Sequence, residues 1–217
     1  MKLNQRTKTF FAISIAAVFS LSVIAMSEMP QAIAANDKGS KPDFASSECI
    51  ITGFGQKYLS GDVDCQIQAW LDNGKHLRYK YIISGMELSD TNSDSSDDID
   101  GIHIHKANPP EIDPANPKGP HVLNVFGHPG VDDRSAVAIP KLGMIMGVWD
   151  DKDENLSYGE PDNSHKFTEN LELLCNGQIF TAVHGTEEDV PGHNAPYLKM
   201  VLEPTANGIK ACEKILD

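Results

Sequence analysis

The chain is 217 residues long, with 18 Lys and Arg against 31 Asp and Glu, and its formal net charge is −13. So acidic a composition excludes a protein that tracks nucleic-acid phosphates or clings to anionic lipid, since both need clustered Lys and Arg. Hydrophobic residues make up 40% of the chain, enough at this length for one domain with a core of ordinary size.

The first segment in chain order is a leader. Lys2, Arg6 and Lys8 precede the apolar run "FFAISIAAVFSLSVIAM", and Ala32, Ile33 and Ala34 give the small-residue pattern of a cleavage site. Residues 1–34 therefore read as a secretory signal peptide cut after Ala34. The rival reading is an uncleaved N-terminal anchor, because the run nears the roughly 18 residues that begin to suggest a span. Cleavage removes a net +2 and leaves 183 residues with a net charge of −15. The remainder divides into a flexible start (35–44), one β domain (45–204) and a C-terminal tail (205–217). No later segment is long and apolar enough to cross a membrane as a helix, so the expected place is secreted or otherwise extracytoplasmic.

All four cysteines, Cys49, Cys65, Cys175 and Cys212, follow the leader. An even number in an exported chain reads as two disulfides, with three pairings open. Cys49–Cys65 with Cys175–Cys212 is the preferred pairing. Thiolate metal binding is the weaker reading, since no two cysteines sit at C-x-x-C spacing.

Beyond Cys49 a period of two dominates. "CQIQAWL" sets Cys65, Ile67, Ala69 and Leu71 against Gln66, Gln68 and Trp70, and "LRYKYIIS" sets Leu77, Tyr79, Tyr81 and Ile83 against Arg78 and Lys80. Asn73-Gly74 between them is a hairpin signal. "SDTNSDSSDDID" (89–100) and the proline-rich 106–120 read as loops, and "GPHVLNVFG" as a strand. Residues 127–168 are mostly connection, with one apolar segment, "VAIPKLGMIMGVW", that could be a strand. A second hairpin is expected in "LELLCNGQIFTAVHG", turning at Asn176-Gly177, and "YLKMVLEP" is the last strand. No capped helical stripe stands out. The expectation is an all-β sandwich or barrel.

The chemistry rests on histidine. His103 and His105 lie one residue apart in "GIHIHKANPP". At i and i+2 of a strand both imidazoles project from one face, with Ile102 and Ile104 on the other. Such a pair can share one ion, or can simply be solvated or hydrogen-bonded. His184 ends "QIFTAVHG", His121 opens "HVLNVFG", and His128 follows in "GHPGVDDR". Histidines at the ends of separate strands can converge, and imidazoles without thiolate suit copper or zinc. Phe180 and Ala182, expected to point inward beside His184, are apolar, so a histidine buried there needs a polar partner. Ligating imidazoles must be neutral, so binding should weaken as pH falls through about 6.5. His76, His165 and His193 look like loop or turn residues without a role. In "DDKDENLSYGE", Asp151, Asp153 and Asn155 have the 1, 3, 5 spacing of a calcium loop. Leu156 stands where the turn wants Gly, however, and Asp162 where Glu is needed. An acidic surface loop is the better reading.

The segment "GIHIHKANPP…GPHVLNVFG" followed by "NGQIFTAVHG" resembles the chordin-type (CHRD) domain, over roughly residues 45–204. The carrying positions are His103, His105, Gly119, Pro120 and His184. The resemblance implies a secreted β domain of undefined biochemical role. After His184, "GTEEDVPGHNAP" departs from that family's ending. The same residues are similar to the copper/zinc superoxide dismutases. That similarity implies His103, His105 and His184 as copper ligands, His121 as a bridge, and His128 with Asp132 or Asp133 as zinc ligands. It also implies an antiparallel Greek-key sandwich or barrel, superoxide-dismutase-like or immunoglobulin-like, with long loops. Two features of the enzymes are missing: a late arginine, since Arg134 is the last here, and a cysteine within 106–120. The expectation is therefore a non-catalytic extracellular module with a copper-type histidine site, copper before zinc. The alternatives are a copper-dependent dismutase and a domain that binds an unknown extracellular partner without metal. No nucleic acid, and no membrane after cleavage, is expected as a partner. The oligomeric state stays open.

Overall fold

A computed structural model describes residues 40–46, 48–59, 61–88, 98–107, 113, 115–127, 132–155, 165–185 and 195–217. The leader, the first half of the start segment (35–39), residues 89–97 of the serine- and aspartate-rich stretch, His128 and His193 lie outside the described residues, while Ile99 and Asp100 of that stretch belong to a strand and not to a loop. The compact unit spans Lys41–Asp217. Its elements in chain order begin with β1 (Phe44–Ala45), β2 (Ile50–Ile51), the single turn α1 (Gly55–Tyr58), β3 (Asp64–Asp72) and β4 (His76–Ser84). They continue with β5 (Ile99–Lys106), β6 (His121–Phe126), β7 (Val137–Ile139) and β8 (Met144–Asp150). The last are α2 (Phe167–Cys175), β9 (Ile179–Gly185), β10 (Leu198–Pro204) and α3 (Ala206–Leu216).

The fold is an antiparallel β structure, as the alternation requires. One sheet runs in the order β6-β5-β9-β10-β1-β3-β4-β8-β7, with β2 added beside β10. The chain fills its two halves in turn: β3 and β4 in one, β5 and β6 in the other, β7 and β8 back in the first, β9 and β10 in the second. These returns to non-consecutive neighbours are Greek-key connections. Strands lie about 4.8 Å apart, so β4 and β9, four places apart in the order, would be about 19 Å apart on a flat sheet. Yet Tyr81 of β4 and Thr181 of β9 share a hydrogen bond of 2.9 Å between their hydroxyls. The sheet therefore curls until its halves face each other. Ile67, Leu77, Tyr81, Ile102, Ile104 and Val183, all 0% exposed, are part of the core it encloses.

Asn73 and Gly74 turn β3 into β4 with φ of 52° and 70°, and Lys75 N–H closes the turn on Asp72 O at 3.0 Å. Two left-handed residues match the twist of the flanking strands, which is why the Asn-Gly pair works. The second Asn-Gly pair does not make a hairpin. "LELLC" belongs to α2, whose Phe167, Leu171 and Leu174 are buried at helical spacing. Gly177 (φ 67°) ends that helix: its N–H donates to Leu174 O, and Gln178 N–H to Leu173 O. A left-handed Gly after the last helical residue satisfies the orphan carbonyls as readily as it turns a hairpin. The tail is also a helix. Thr205 caps α3 by accepting from Asn207 and Gly208 N–H. The segment around 137–149 is two strands, β7 and β8, broken at Pro140.

The disulfides are Cys49–Cys65 and Cys175–Cys212. The second joins the C-terminal end of α2 to α3. Among the described residues no helix is long and apolar enough to cross a membrane.

Candidate metal centre

Strand register places the histidines. His103 pairs with Ala182 and His105 with Phe180 on β9, while His105 faces His121 on β6. Thr181, bonded to Tyr81, points into the curl, so Phe180, Ala182 and their partners His103 and His105 point away from it. The histidines thus stand on the outer face of this half. The expectation that Phe180 and Ala182 point inward is corrected: they are 1% exposed on the outer face, where a loop lies against their neighbours His105 and Lys199.

That loop is the 115–120 segment. Its Gly119 carbonyl accepts a hydrogen bond from His105 Nδ1 at 2.9 Å. A Cβ at Gly119 would come within 1.7 Å of Lys106 O, so only glycine lets the loop lie this close to β5. Lys106 N–H donates to Pro120 O at 3.1 Å and fixes the loop's end. Underneath, His103 and His105 are 5% and 7% exposed.

The β5–β6 register shifts by one residue between Ile102 and His103 and again between Ile104 and His105. Such irregularities re-aim side chains and recur beside functional sites. The outcome is a close set of rings. His103 and His121 lie 4.3 Å apart centre to centre, His105 and His121 4.3 Å, and His103 and His184 5.0 Å. One ring nitrogen from each of His103, His105 and His121 falls within 4.8 Å of the others. The structure thus draws His103, His105 and His121 into one trio and sets His184 beside His103. His121, the bridge of the dismutase similarity, is at its centre.

The donor set fits a borderline-soft ion. A carbonyl only accepts, so neutral His105 carries its proton on Nδ1 and its lone pair on Nε2. That Nε2 is buried and has no hydrogen-bond partner among the described residues. Burial, with the His121 imidazole nearby, lowers the His105 pKa to about 3, which keeps the ring in the neutral form a metal needs. Phe180 stacks on the ring at 4.9 Å and 14°.

The other acidic candidates have structural work. Asp133 accepts from the Tyr79 hydroxyl at 2.5 Å and from Ser135 N–H at 2.7 Å. Its own N–H donates to Asn124 O, and Ser135 Oγ takes the Val148 N–H, so this segment stitches β6 to β8. Asp151 accepts from Thr168 N–H and hydroxyl at the start of α2. Asp153 is 5% exposed and accepts from Asp150 N–H. The would-be calcium loop is thus not a plain surface loop: 151–155 form a 3₁₀ turn that closes β8 and caps α2. His165 is buried, and its carbonyl accepts from Trp149 Nε1.

Sequence reasoning missed Lys199, 7% exposed on β10, whose ammonium donates to Pro117 O at 2.6 Å and Asn116 Oδ1 at 3.2 Å. A signal existed. Lys199 shares its strand face with Tyr197 and Val201, a lysine where the alternation holds apolar residues. No protein-family model, curated protein or solved structure matches the chain, so the site is read from its own geometry.

Proposed function

We propose that the protein is an exported, CHRD-like, non-catalytic module that binds one copper-type ion through His103, His105 and His121, with His184 adjoining. The observation that carries the reading is the trio of two buried histidines and half-buried His121, with one nitrogen of each within 4.8 Å of the others, on the outer sheet face. An imidazole nitrogen held out of water costs free energy unless something takes its lone pair, and His105 Nε2 is such an atom. Three imidazoles without thiolate favour Cu(II) over Zn(II) on the Irving–Williams order, although metal supply also decides. Bound there, copper would supply one-electron redox chemistry. The chain's own part is to hold neutral imidazoles in place under the 115–120 loop. The two disulfides support an oxidising, extracytoplasmic setting.

A dismutase is the rival reading, since it would use the same histidines. It also needs a cation that guides an anion in from solvent. Arg134 is the last arginine of the chain, so the late arginine that guides the anion in those enzymes is missing, which favours the module. The test is copper titration with EPR on wild type, His105→Ala and His184→Ala, beside a dismutation assay. Wild type should take one Cu(II) with nitrogen ligation. His105→Ala should lose at least tenfold in affinity, and His184→Ala should alter the spectrum less. Equal binding by all three, or none by any, sinks the site. Dismutation near the diffusional ceiling of about 10⁸–10⁹ M⁻¹s⁻¹ would make it an enzyme.

A further inference from the structure

We propose that Lys199 is the positioning residue of the histidine site: its buried ammonium clasps the 115–120 loop, and the loop's Gly119 carbonyl fixes the tautomer of His105. The inference rests on the metal-site reading for its metal readouts only.

Two chains of contact lead from Lys199 to His105. The first runs through the loop. Lys199 Nζ donates to Pro117 O and Asn116 Oδ1, and two residues further on Gly119 O accepts from His105 Nδ1. The second runs through an aromatic ring. Lys199 Nζ lies 5.9 Å from the Phe180 ring centre, and Phe180 stacks on His105. Lys199 itself pairs with Ala182, which pairs with His103, so all of this sits on one outer face.

A buried ammonium is costly, and an apolar side chain of similar volume often serves stability as well or better. Retaining a lysine under the loop makes sense if the loop must be held at one height. The height matters because Gly119 O must stay within hydrogen-bond range of Nδ1. If the carbonyl lifts away, nothing keeps the proton on Nδ1, and Nε2 becomes a donor for part of the time. A ring that carries its proton on the ligating nitrogen cannot bind metal, and the partner at the far nitrogen is what sets the tautomer.

The test compares wild type, Lys199→Met and Lys199→Arg as full chains with disulfides intact. Heteronuclear NMR of the metal-free proteins reads the His105 tautomer, copper competition reads affinity, and a thermal melt reads the fold. Wild type should show the Nδ1–H tautomer alone. Lys199→Met should stay folded, mix the two tautomers and bind Cu(II) about 2–10-fold more weakly, in proportion to the tautomer lost. Lys199→Arg, which keeps the charge and the donors, should restore the single tautomer. Should Lys199→Met fail to fold, Asn116→Ala, which removes one acceptor at an exposed position, takes its place. It should mix the tautomers where Lys199→Arg keeps a single one, and equal populations in those two overturn the proposal. Metal binding with an unchanged tautomer and affinity in Lys199→Met overturns the clasp and leaves the metal site standing. A wild type that takes no copper while Lys199→Met mixes the tautomers overturns the metal reading and supports the clasp.

Discussion

The two halves of the sheet use similar strands to different ends. In β3 and β4, Gln66, Gln68, Arg78 and Lys80 are exposed or half-buried, while Ile67, Ala69, Leu77 and Tyr79 fill the core. In β5, β9 and β10 nearly every side chain is buried, whichever face it occupies. The inner faces are alike; the outer faces are not. One meets water, and the other meets a loop. A face shut off by a loop has no need of polar side chains for solubility. The polar ones that persist there, His103, His105, Asn124 and Lys199, point to a site.

The largest expected effect tests this contrast directly. Phe180→Ala, on the covered outer face, should cost about 3–5 kcal/mol, as a buried aromatic does when truncated. Gln68→Ala, on the solvated outer face of the other half, should stay within about 0.5 kcal/mol. Urea unfolding of both variants checks this, and similar costs would erase the distinction. Next in size is Tyr81→Phe, which removes the hydroxyl bridge from one half to the other. The loss should be about 1 kcal/mol, or roughly 2–4 °C in Tm for a domain of this size. No measurable shift would mean that apolar packing alone holds the curl.

The last contrast is in pH dependence, where the halves should oppose each other. Burial raises the Asp153 pKa from 3.8 to about 7, outweighing the Asp150 N–H that favours its charged form. A carboxyl raised by folding lends stability that is whole below its unfolded value and gone once pH passes the folded one. Its contribution should therefore fall between about pH 4 and pH 7, and Asp153→Asn should gain on wild type across that window. His105, lowered from 6.5 to about 3, has the opposite sign in the metal-free protein. Its contribution is whole above about 6.5 and is lost as pH falls toward 3, so His105→Phe should flatten the acid limb. Unfolding free energies measured from pH 4 to pH 8 separate the two. A constant offset between each variant and wild type would disprove both assignments.

The sequence was legible where one rule had one outcome. Alternation with a solvated face marked β3 and β4, and Asn73-Gly74 marked their turn. It misled where one signal serves two structures. Asn176-Gly177 is chemically the same pair, but before it Phe167, Leu171 and Leu174 follow a helical period that "LELLC" alone conceals. α3 was missed although Thr205 is an ordinary cap, because Gly208, Cys212 and Ile215, the residues it turns to the core, make too thin an apolar stripe to stand out. At the site, a period of two put His103 and His105 on one face. It could not say which face, since Ile102, Ile104, Phe180 and Ala182 are apolar on both. The signal at Lys199 was passed over for a related reason: a lysine in a strand ordinarily reads as a solvent contact, and the loop above it changes that.

Along the sheet, the halves are joined through two residues. Phe44 and Ala45 pair with β10 on one side and β3 on the other. Their neighbours tighten the junction: Asp43 accepts from Leu71 N–H, and Thr205 reaches both Asp43 O and Pro42 O. The β3–β4 hairpin can close as soon as it leaves the ribosome, whereas this junction must wait until Thr205 has been made, 163 positions after Pro42. Until β10 is made, the edge of β1 that it covers lies unpaired, and unpaired edges are templates for neighbouring chains. The short strip around Phe44 is thus the fold's late safeguard against self-association. Trimming past Phe44 and Ala45 would bare the edges of β3 and β10 that they cover.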